Sequence, residues 1–192
     1  MKSISIIFLF SILLPFSTLD ISVQESNIKW KGSKSNGSYH DGLIFIKDGF
    51  VNIENNIIQT GEISIDMNSI ICTDIKNVQS NQSLINHLKN DDFFSVETFP
   101  YSFLKINHVK HKQDNDYFIK ADLTIKEITH PIEFVANIQI TPDGAMASGT
   151  MIIDRAKYEI KYKSKTWYEN LGDRFINDNF DLHFTLLAIP QT

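Results

Sequence analysis

The 192-residue sequence contains a single cysteine, Cys72, so it cannot form an internal disulfide bond. Cys72 lies too far from the N-terminus to be a lipoprotein anchor. The surrounding segment, Met67–Thr73, leans apolar, which indicates a buried, inert thiol rather than a nucleophile. The sequence also lacks H-E-x-x-H and C-x-x-C motifs, so a metal site would have to be assembled from residues that are far apart in the chain.

Positive charge is in short supply as well. There are 18 lysines and arginines against 23 aspartates and glutamates, which gives a net charge of -5. The charges of the two signs are interleaved, and no basic stripe of the kind that binds a phosphate backbone is present. Nucleic acid is therefore excluded as a partner.

Only one apolar run stands out, and it lies at the N-terminus. It follows Lys2, covers Ile4–Leu14, and is too short to cross a bilayer, which takes about 20 apolar residues. The pattern predicts a secretory signal at residues 1–19, cleaved between Pro15 and Asp20, and hence a periplasmic or secreted protein. The alternative is a buried N-terminal strand or helix. Residues 20–192 are long enough for one domain with its own core.

Period-two alternation of apolar and polar residues recurs through the rest of the chain, and it is clearest at 132–140 and 180–188. Turn-forming residues such as Asn55-Asn56 and Thr141-Pro142-Asp143-Gly144 separate the alternating runs. Short connections of this kind join antiparallel neighbours, since parallel strands need long crossovers. The sequence therefore predicts an all-β, antiparallel fold of about eight strands.

The alternation stops between Val78 and Phe94, where Leu84, Ile85 and Leu88 recur at helical spacing, so we expect a short helix near one end of the sheet. Strands with one apolar face and little helix to cover it must stack as two sheets or close into a barrel. A barrel of about eight strands holds either packed side chains or one small ligand. Alternation alone leaves both interiors open.

The segment His87–Pro100 places three phenylalanines around an acidic pair outside any alternating run. It has two interpretations: aromatic anchors that fix a helix end to the sheet, or an apolar lip at the mouth of a barrel. The residue types do not separate the two.

The same segment resembles a signature of the YceI-like, polyisoprenoid-binding family, and further motifs of that family follow in order over residues 28–188. The closing one resembles the form of Bacteroidota-type members. The chain departs from the pattern at Glu127, where the family usually has glycine, so a turn that needs positive φ would be strained there. The other segments that carry the resemblance are Trp30–Gly32, His40–Gly42, Leu123–Phe134, Ile153–Ile160 and Leu171–Leu182.

The resemblance implies an extended, lipocalin-like barrel that holds an isoprenoid chain or another long-chain amphiphilic lipid for transport, storage or sequestration, with no cofactor besides that lipid. An internal apolar volume on the order of a few hundred Å³ is then expected. Transient membrane contact and a homodimer are both compatible with this function. The residues predicted to line the pocket are Phe45, Ile63, Ile65, Met67, Phe103, Ile125, Phe134 and Phe184, with Leu88, Phe93 and Phe94 at its mouth.

Catalytic residues are not predicted. The six histidines are scattered, and the two nearest, His108 and His111, would point to opposite faces of a strand. The adjacent carboxylates Asp91 and Asp92 would point apart in an extended chain and would not share one substrate bond. Two alternatives to a carrier remain: an enzyme or redox partner that acts on an isoprenoid lipid, and a packed structural barrel without ligand.

Overall fold

A computed structural model of the chain describes residues 16–169 and 175–191. Within these residues, nine strands, one α-helix and one short 3₁₀ helix follow one another along the chain. They are β1 (Phe16–Ile21), β2 (Asn27–Lys34), β3 (Tyr39–Glu54), β4 (Ile57–Cys72), α1 (Val78–Lys89), β5 (Tyr101–Gln113), β6 (Asp116–Ile125), β7 (Ile128–Thr141), β8 (Gly144–Asp154), the 3₁₀ helix Arg155–Tyr158, and β9 (Ile176–Pro190).

The strands form one closed antiparallel barrel with eight strand positions. From β3 to β9 each strand pairs with the next along the chain, and the pairing of β2 and β1 with both β3 and β9 closes the circle. β1 and β2 share a single position, because β1 pairs with the second half of β3 and β2 with its first half. The predicted all-β barrel of about eight strands is confirmed.

Side-chain alternation builds the core, as the sequence predicts. In β7, Ala136 and Ile138 are buried, while the residues on either side of each are exposed. The inward side chains of all strands merge into one hydrophobic cluster. Because the outer face needs no cover, a single layer of sheet can enclose its own core.

The two ends of the barrel differ. At the end that we call the turn end, short turns at Asn55-Asn56, Asp114-Asn115 and Pro142-Asp143 join the strands. At the other end, the helix end, α1 and the segment 155–169 lie across the opening. α1 begins where the Asn77 side chain accepts a hydrogen bond from the Ser80 N–H at 2.9 Å, and it has no buried residue. The predicted short helix near one end is thus confirmed.

The structure describes only part of the predicted signal segment. Residues 1–15 of the predicted signal lie outside the described residues, whereas residues 16–19 belong to β1, where Leu19 is part of the core. The predicted boundary at residue 19 therefore falls inside a paired strand. In the parts of the chain that are described, 16–169 and 175–191, no helix has the length and apolarity needed to cross a membrane.

The internal cavity as candidate functional site

The barrel encloses a cavity of about 90 Å³ in its turn-end half. Every strand contributes to its wall, and every lining residue is apolar. The lining consists of Ile21, Ile28, Val51, Ile58, Ile63, Ile65, Leu104, Ile106, Val109, Ile119, Leu123, Phe134, Ala136, Ile138, Ala145, Ala147, Met151, Leu182, Phe184, Leu186 and Ala188.

The space exists because the wall is uneven. β4, β5 and β6 present large branched side chains, whereas β7, β8 and β9 present the alanines Ala136, Ala145, Ala147 and Ala188. The same three strands also present larger side chains, namely Phe134, Ile138, Met151, Leu182, Phe184 and Leu186. The Phe184 ring reaches over Gly149, where an added Cβ would lie 2.8 Å from Cζ. The Phe184 ring meets that of Phe134 edge to face, with centroids 5.8 Å apart.

The volume of the cavity is smaller than the sequence predicts. Pockets for small ligands usually enclose about 300–1,000 Å³, whereas this cavity measures about 90 Å³. The expectation of a few hundred Å³ is therefore wrong for the barrel as it stands. A long apolar chain would enter only if lining side chains moved apart.

Four of the predicted lining residues do face the cavity, namely Ile63, Ile65, Phe134 and Phe184. Met67 and Ile125 also point inward and are buried, but they pack in the core beyond the cavity. Contact of any of these side chains with a lipid stays a prediction.

The inward assignment of Phe45 and Phe103 is wrong. Both side chains lie on the outer face of the barrel, with 41% and 47% of their surface exposed. Each lies two residues from a lysine, Lys47 or Lys105, and residues two apart in a strand share a face. The lysines must reach water, so they hold both phenylalanines on the outside. This signal was present in the sequence.

The predicted mouth residues also need correction, because none of Leu88, Phe93 and Phe94 borders the cavity. Phe93 is buried at the helix end, where its ring centroid lies 5.5 Å from that of Tyr162. Phe94 packs on Phe180 with centroids 6.4 Å apart, and Leu88 packs against the same core. The aromatic segment thus anchors the helix to the barrel, which is the other interpretation of the sequence.

Arg155 closes the helix end more firmly. Its buried guanidinium donates hydrogen bonds to the carbonyl oxygens of Ile160 at 2.7 Å, Ile176 at 3.0 Å and Asn177 at 3.2 Å. Asp178 Oδ1 lies 3.3 Å from the guanidinium but accepts no hydrogen bond, so this ion pair is held by charge alone. The pKa of the nearby Tyr158 is raised to about 12, mainly because the side chain is buried and secondly because of the negative charge of Asp154.

One polar cluster lies at the helix end of β3 and β4. Burial alone would raise the pKa of Asp74, but hydrogen bonds from His40, Cys72 and the Asp41 N–H outweigh it, so this pKa lies below its ordinary value. Burial raises the pKa of the Cys72 thiol, which keeps the sulfur protonated and agrees with an inert cysteine. Among the described residues, no three histidine, cysteine or acidic side chains are grouped closely enough to hold a metal ion.

The residues that make the cavity, the alanines of β7 to β9, were not among the sequence-predicted site residues. Their signal was available, since Ala136 and Ala147 stand at apolar positions of alternating runs. A small residue at an inward position leaves space, but only the register shows that several such residues meet.

Comparison with solved structures shows the same fold in several bacterial proteins. BcnA of Burkholderia cenocepacia superposes with a TM-score of 0.67 at 14% identity, over 88% of this chain and 99% of its own. A polyisoprenoid binding domain from Saccharophagus degradans, implicated in plant cell wall breakdown, gives 0.64 at 15% identity, over 93% and 99%. The YCEI protein of Campylobacter jejuni gives 0.55 at 18% identity, over 71% and 75%.

The sequence comparisons agree with the fold. No curated protein matches the chain. The YceI-like domain, in contrast, matches residues 19–188, which run from β1 through β9 and include every residue that lines the cavity. The chain therefore belongs to the YceI-like family.

Proposed function

We propose that this protein binds a long-chain lipid of isoprenoid-like or similar amphiphilic type inside its barrel and acts as a carrier or sequestering protein. The observation that carries the proposal is the cavity wall, to which every strand contributes and which presents apolar side chains alone. Such a wall removes an apolar chain from contact with water, which is favourable, and it contains no polar group that could act on a bond of the ligand.

Energetics support a chain rather than a compact ligand. Each buried CH₂ group contributes about 0.8 kcal/mol, so a dozen carbons contribute about 10 kcal/mol. That gain must offset the entropy lost on association, about 4–15 kcal/mol, and also the cost of moving side chains to enlarge a cavity of 90 Å³. Only a ligand with many apolar carbons meets both costs.

Family membership supports the lipid, since the Saccharophagus degradans domain of the same fold is described as binding a polyisoprenoid. The apolar run after Lys2 supports export to the periplasm or the cell exterior. We propose that the carrier touches membranes transiently to load and release its lipid, without a further cofactor. A homodimer remains compatible with this role.

The test is native mass spectrometry of the protein from its own host, followed by lipid extraction. We expect a bound lipid in the natural protein and at least a roughly tenfold loss of occupancy in Phe184→Asp, because a buried carboxylate and an apolar chain exclude each other. Phe103→Asp is the matched control: it makes the same change on the outer face and should leave occupancy unchanged. Phe134→Asp repeats the test at a half-buried site if Phe184→Asp does not fold.

The small cavity favours a second candidate, a packed structural barrel without ligand. The same experiment separates the two. Repeated recovery of bare polypeptide, from preparations in which the barrel is folded, would contradict the carrier and support the structural barrel.

A further inference from the structure

The barrel wall is not uniformly hydrogen-bonded. β7 and β8 pair from Thr141 and Gly144 at the turn end only as far as Ala136 and Gly149. Beyond that rung, residues 128–135 of β7 and 150–154 of β8 have no ladder between them, although both segments are strand. We call this gap the lateral slot.

The other ladders of β7 and β8 continue along the slot. On its far side β7 stays paired with β6 down to Ile128, and β8 stays paired with β9 down to Asp154. Within the described residues, no further residue pair of the two strands belongs to a ladder beyond the rung of Ala136 and Gly149. His130 bounds the slot at the helix end: its Nε2 lies 3.0 Å from the carbonyl oxygen of Lys157, and its ring centroid lies 5.3 Å from that of Tyr158.

The slot leads to the cavity. Phe134 and Met151 are the first inward residues beyond the last rung, and both line the cavity. Phe134 and Ile132 on the β7 edge of the slot are half-buried, and Met151 on the β8 edge is buried.

The outer lips of the slot are apolar. Val135 on β7 is 36% exposed, and Ile152 on β8 is 67% exposed, and both side chains lie on the outer face of the barrel. Exposed apolar side chains on both sides of an opening provide a continuous apolar path from the surface to the cavity.

The helix end of the barrel is closed by packing. At the helix end Tyr158 and Ile160 are fully buried behind the hydrogen bonds of Arg155. At the turn end Ile53 and Ile58 are buried, whereas Ile140 is half-buried. A second gap in the described wall lies between β4 and β5, whose ladder stops at Gly61 and Ile106, but the exposed side chains of β5 along that gap include Lys110 and Lys112. The slot between β7 and β8 differs from it in its apolar lips.

We propose that the lateral slot is the entrance of the cavity, through which the apolar chain of the ligand passes sideways between β7 and β8. The inference rests on the proposed function, since a barrel without ligand needs no entrance. The two strands share no ladder along the slot, so separating them there costs less than opening a fully paired seam of the wall. Phe134, on the slot edge and in the cavity wall, has to turn aside as the chain enters.

A reversible staple tests the route. Continued register would place Val135 opposite Thr150, so Val135→Cys with Thr150→Cys, in a Cys72→Ser background, allows a disulfide across the slot. The probe is cis-parinaric acid, a fluorescent long-chain fatty acid, and its uptake is followed by stopped flow. We expect oxidation to slow uptake about tenfold or more and reduction to restore it, because a blocked route limits the association rate.

The control staple joins strands that are already paired. Ser148→Cys with Thr185→Cys, on the outer face of β8 and β9, should form a disulfide and leave uptake unchanged. If the slot staple forms, as shown by intact mass, and uptake keeps its rate, the slot is not the entrance. If neither reduced variant nor the natural protein binds the probe, the proposed function fails, and the entrance with it.

A second pair of variants avoids disulfides. Ile152→Lys places a charge on the slot lip, and Met146→Lys makes the same change at an exposed outward position of the paired half of β8. An entrance residue changes the barrier and not the bound state, so Ile152→Lys should slow association and dissociation by the same factor of several-fold and leave Kd unchanged. Met146→Lys should alter neither rate. Equal rates in both variants, or a changed Kd alone, would overturn the proposal.

Discussion

The turn between β6 and β7 concentrates strain in two residues. Ile125 pairs with Ile128, so Lys126 and Glu127 alone make the turn, and their φ values are 53° and 61°. A two-residue hairpin turn with two positive φ values favours Asn-Gly, since side chains with a Cβ crowd the backbone there. The strain expected from Glu127 at the sequence level is thus present, and the turn keeps its geometry in spite of it.

Replacing Glu127 with glycine should therefore stabilise the protein. We expect a gain of about 1 kcal/mol in the free energy of unfolding, because glycine adopts positive φ without steric cost. Urea denaturation of the two proteins measures it.

The control for Glu127→Gly lies at the opposite end of the barrel. Asn55 and Asn56 form a turn with φ values of 56° and 58°. Because asparagine tolerates this region, Asn56→Gly should gain only a few tenths of a kcal/mol. An equal or larger gain at Asn56 would show that strain is not the cause.

For single residues, the alternation within a strand decides whether the sequence can assign a side chain to the inner or the outer face. Ile63, Ile65, Phe134 and Phe184 were assigned inward and do face the cavity. Phe103 was misassigned because its size suggested burial, although Lys105 on the same face already required water. Where charge and size disagree within one strand, the charge fixes the face, since a buried unpaired charge costs more than an exposed ring.

At the scale of elements, β1 is the strand that could not be recognised from the sequence. Residues 16–19 of β1 fall within the predicted signal segment, residues 1–19, so the sequence favours a signal over a strand there. In the barrel it completes the position begun by β2, after a break at residues 22–26 in which the Ser22 N–H donates to the Leu187 carbonyl at 2.8 Å. Pairing partners that lie far apart in the chain, here Leu19 with Val51, cannot be deduced from local pattern.

Removing β1 should weaken the barrel strongly. A chain that begins at Ser22 loses the ladder to β3 and the buried side chains of Leu19 and Ile21. Each such side chain contributes about 1.5–3 kcal/mol, so we expect a loss of about 3 kcal/mol or more relative to a chain that begins at Phe16. Guanidinium denaturation of the two chains measures the difference.

The comparison has a clear negative outcome. If the chains that begin at Phe16 and at Ser22 unfold at the same denaturant concentration, β1 is not part of the stable barrel. A Leu19→Ala variant of the longer chain serves as the intermediate case, since it keeps the ladder and loses only one buried side chain. Its free energy of unfolding should lie between those of the two chains.

At the scale of the whole molecule, the barrel could be predicted and the cavity could not. Alternation and short turns suffice for a closed antiparallel sheet, because they depend on neighbours in sequence. The cavity depends on which inward residues meet across strands. Ala145 lies beside Ala188, and Ala147 lies between Ile138 and Leu186. These pairings are set by register over the full sheet, so the volume of the interior became visible only in the fold.

The empty volume predicts opposite effects for one substitution at two inward alanines. Ala147 borders the cavity, whereas Ala121 is buried and is not one of the residues that line it. Ala147→Val should fill part of the void and raise the free energy of unfolding by about 1 kcal/mol, the usual gain for filling a cavity. The same change at Ala121 has no space to enter and should cost about 1–3 kcal/mol. Urea denaturation of both variants gives the two values.

In Ala147→Val the affinity for ligand should fall while the stability rises, and this difference distinguishes a binding cavity from a packing defect. Ala147→Val occupies space that an apolar chain would need, so its affinity for cis-parinaric acid should fall while its stability rises. Ala121→Val should keep its affinity, because that side chain does not border the cavity. If Ala147→Val gains stability and binds the probe as tightly as the natural protein, the chain lies elsewhere and the void is only a packing defect. Stability and affinity that move in opposite directions at Ala147, and at no other alanine tested, would place the ligand beside the alanines that β7, β8 and β9 contribute to the wall.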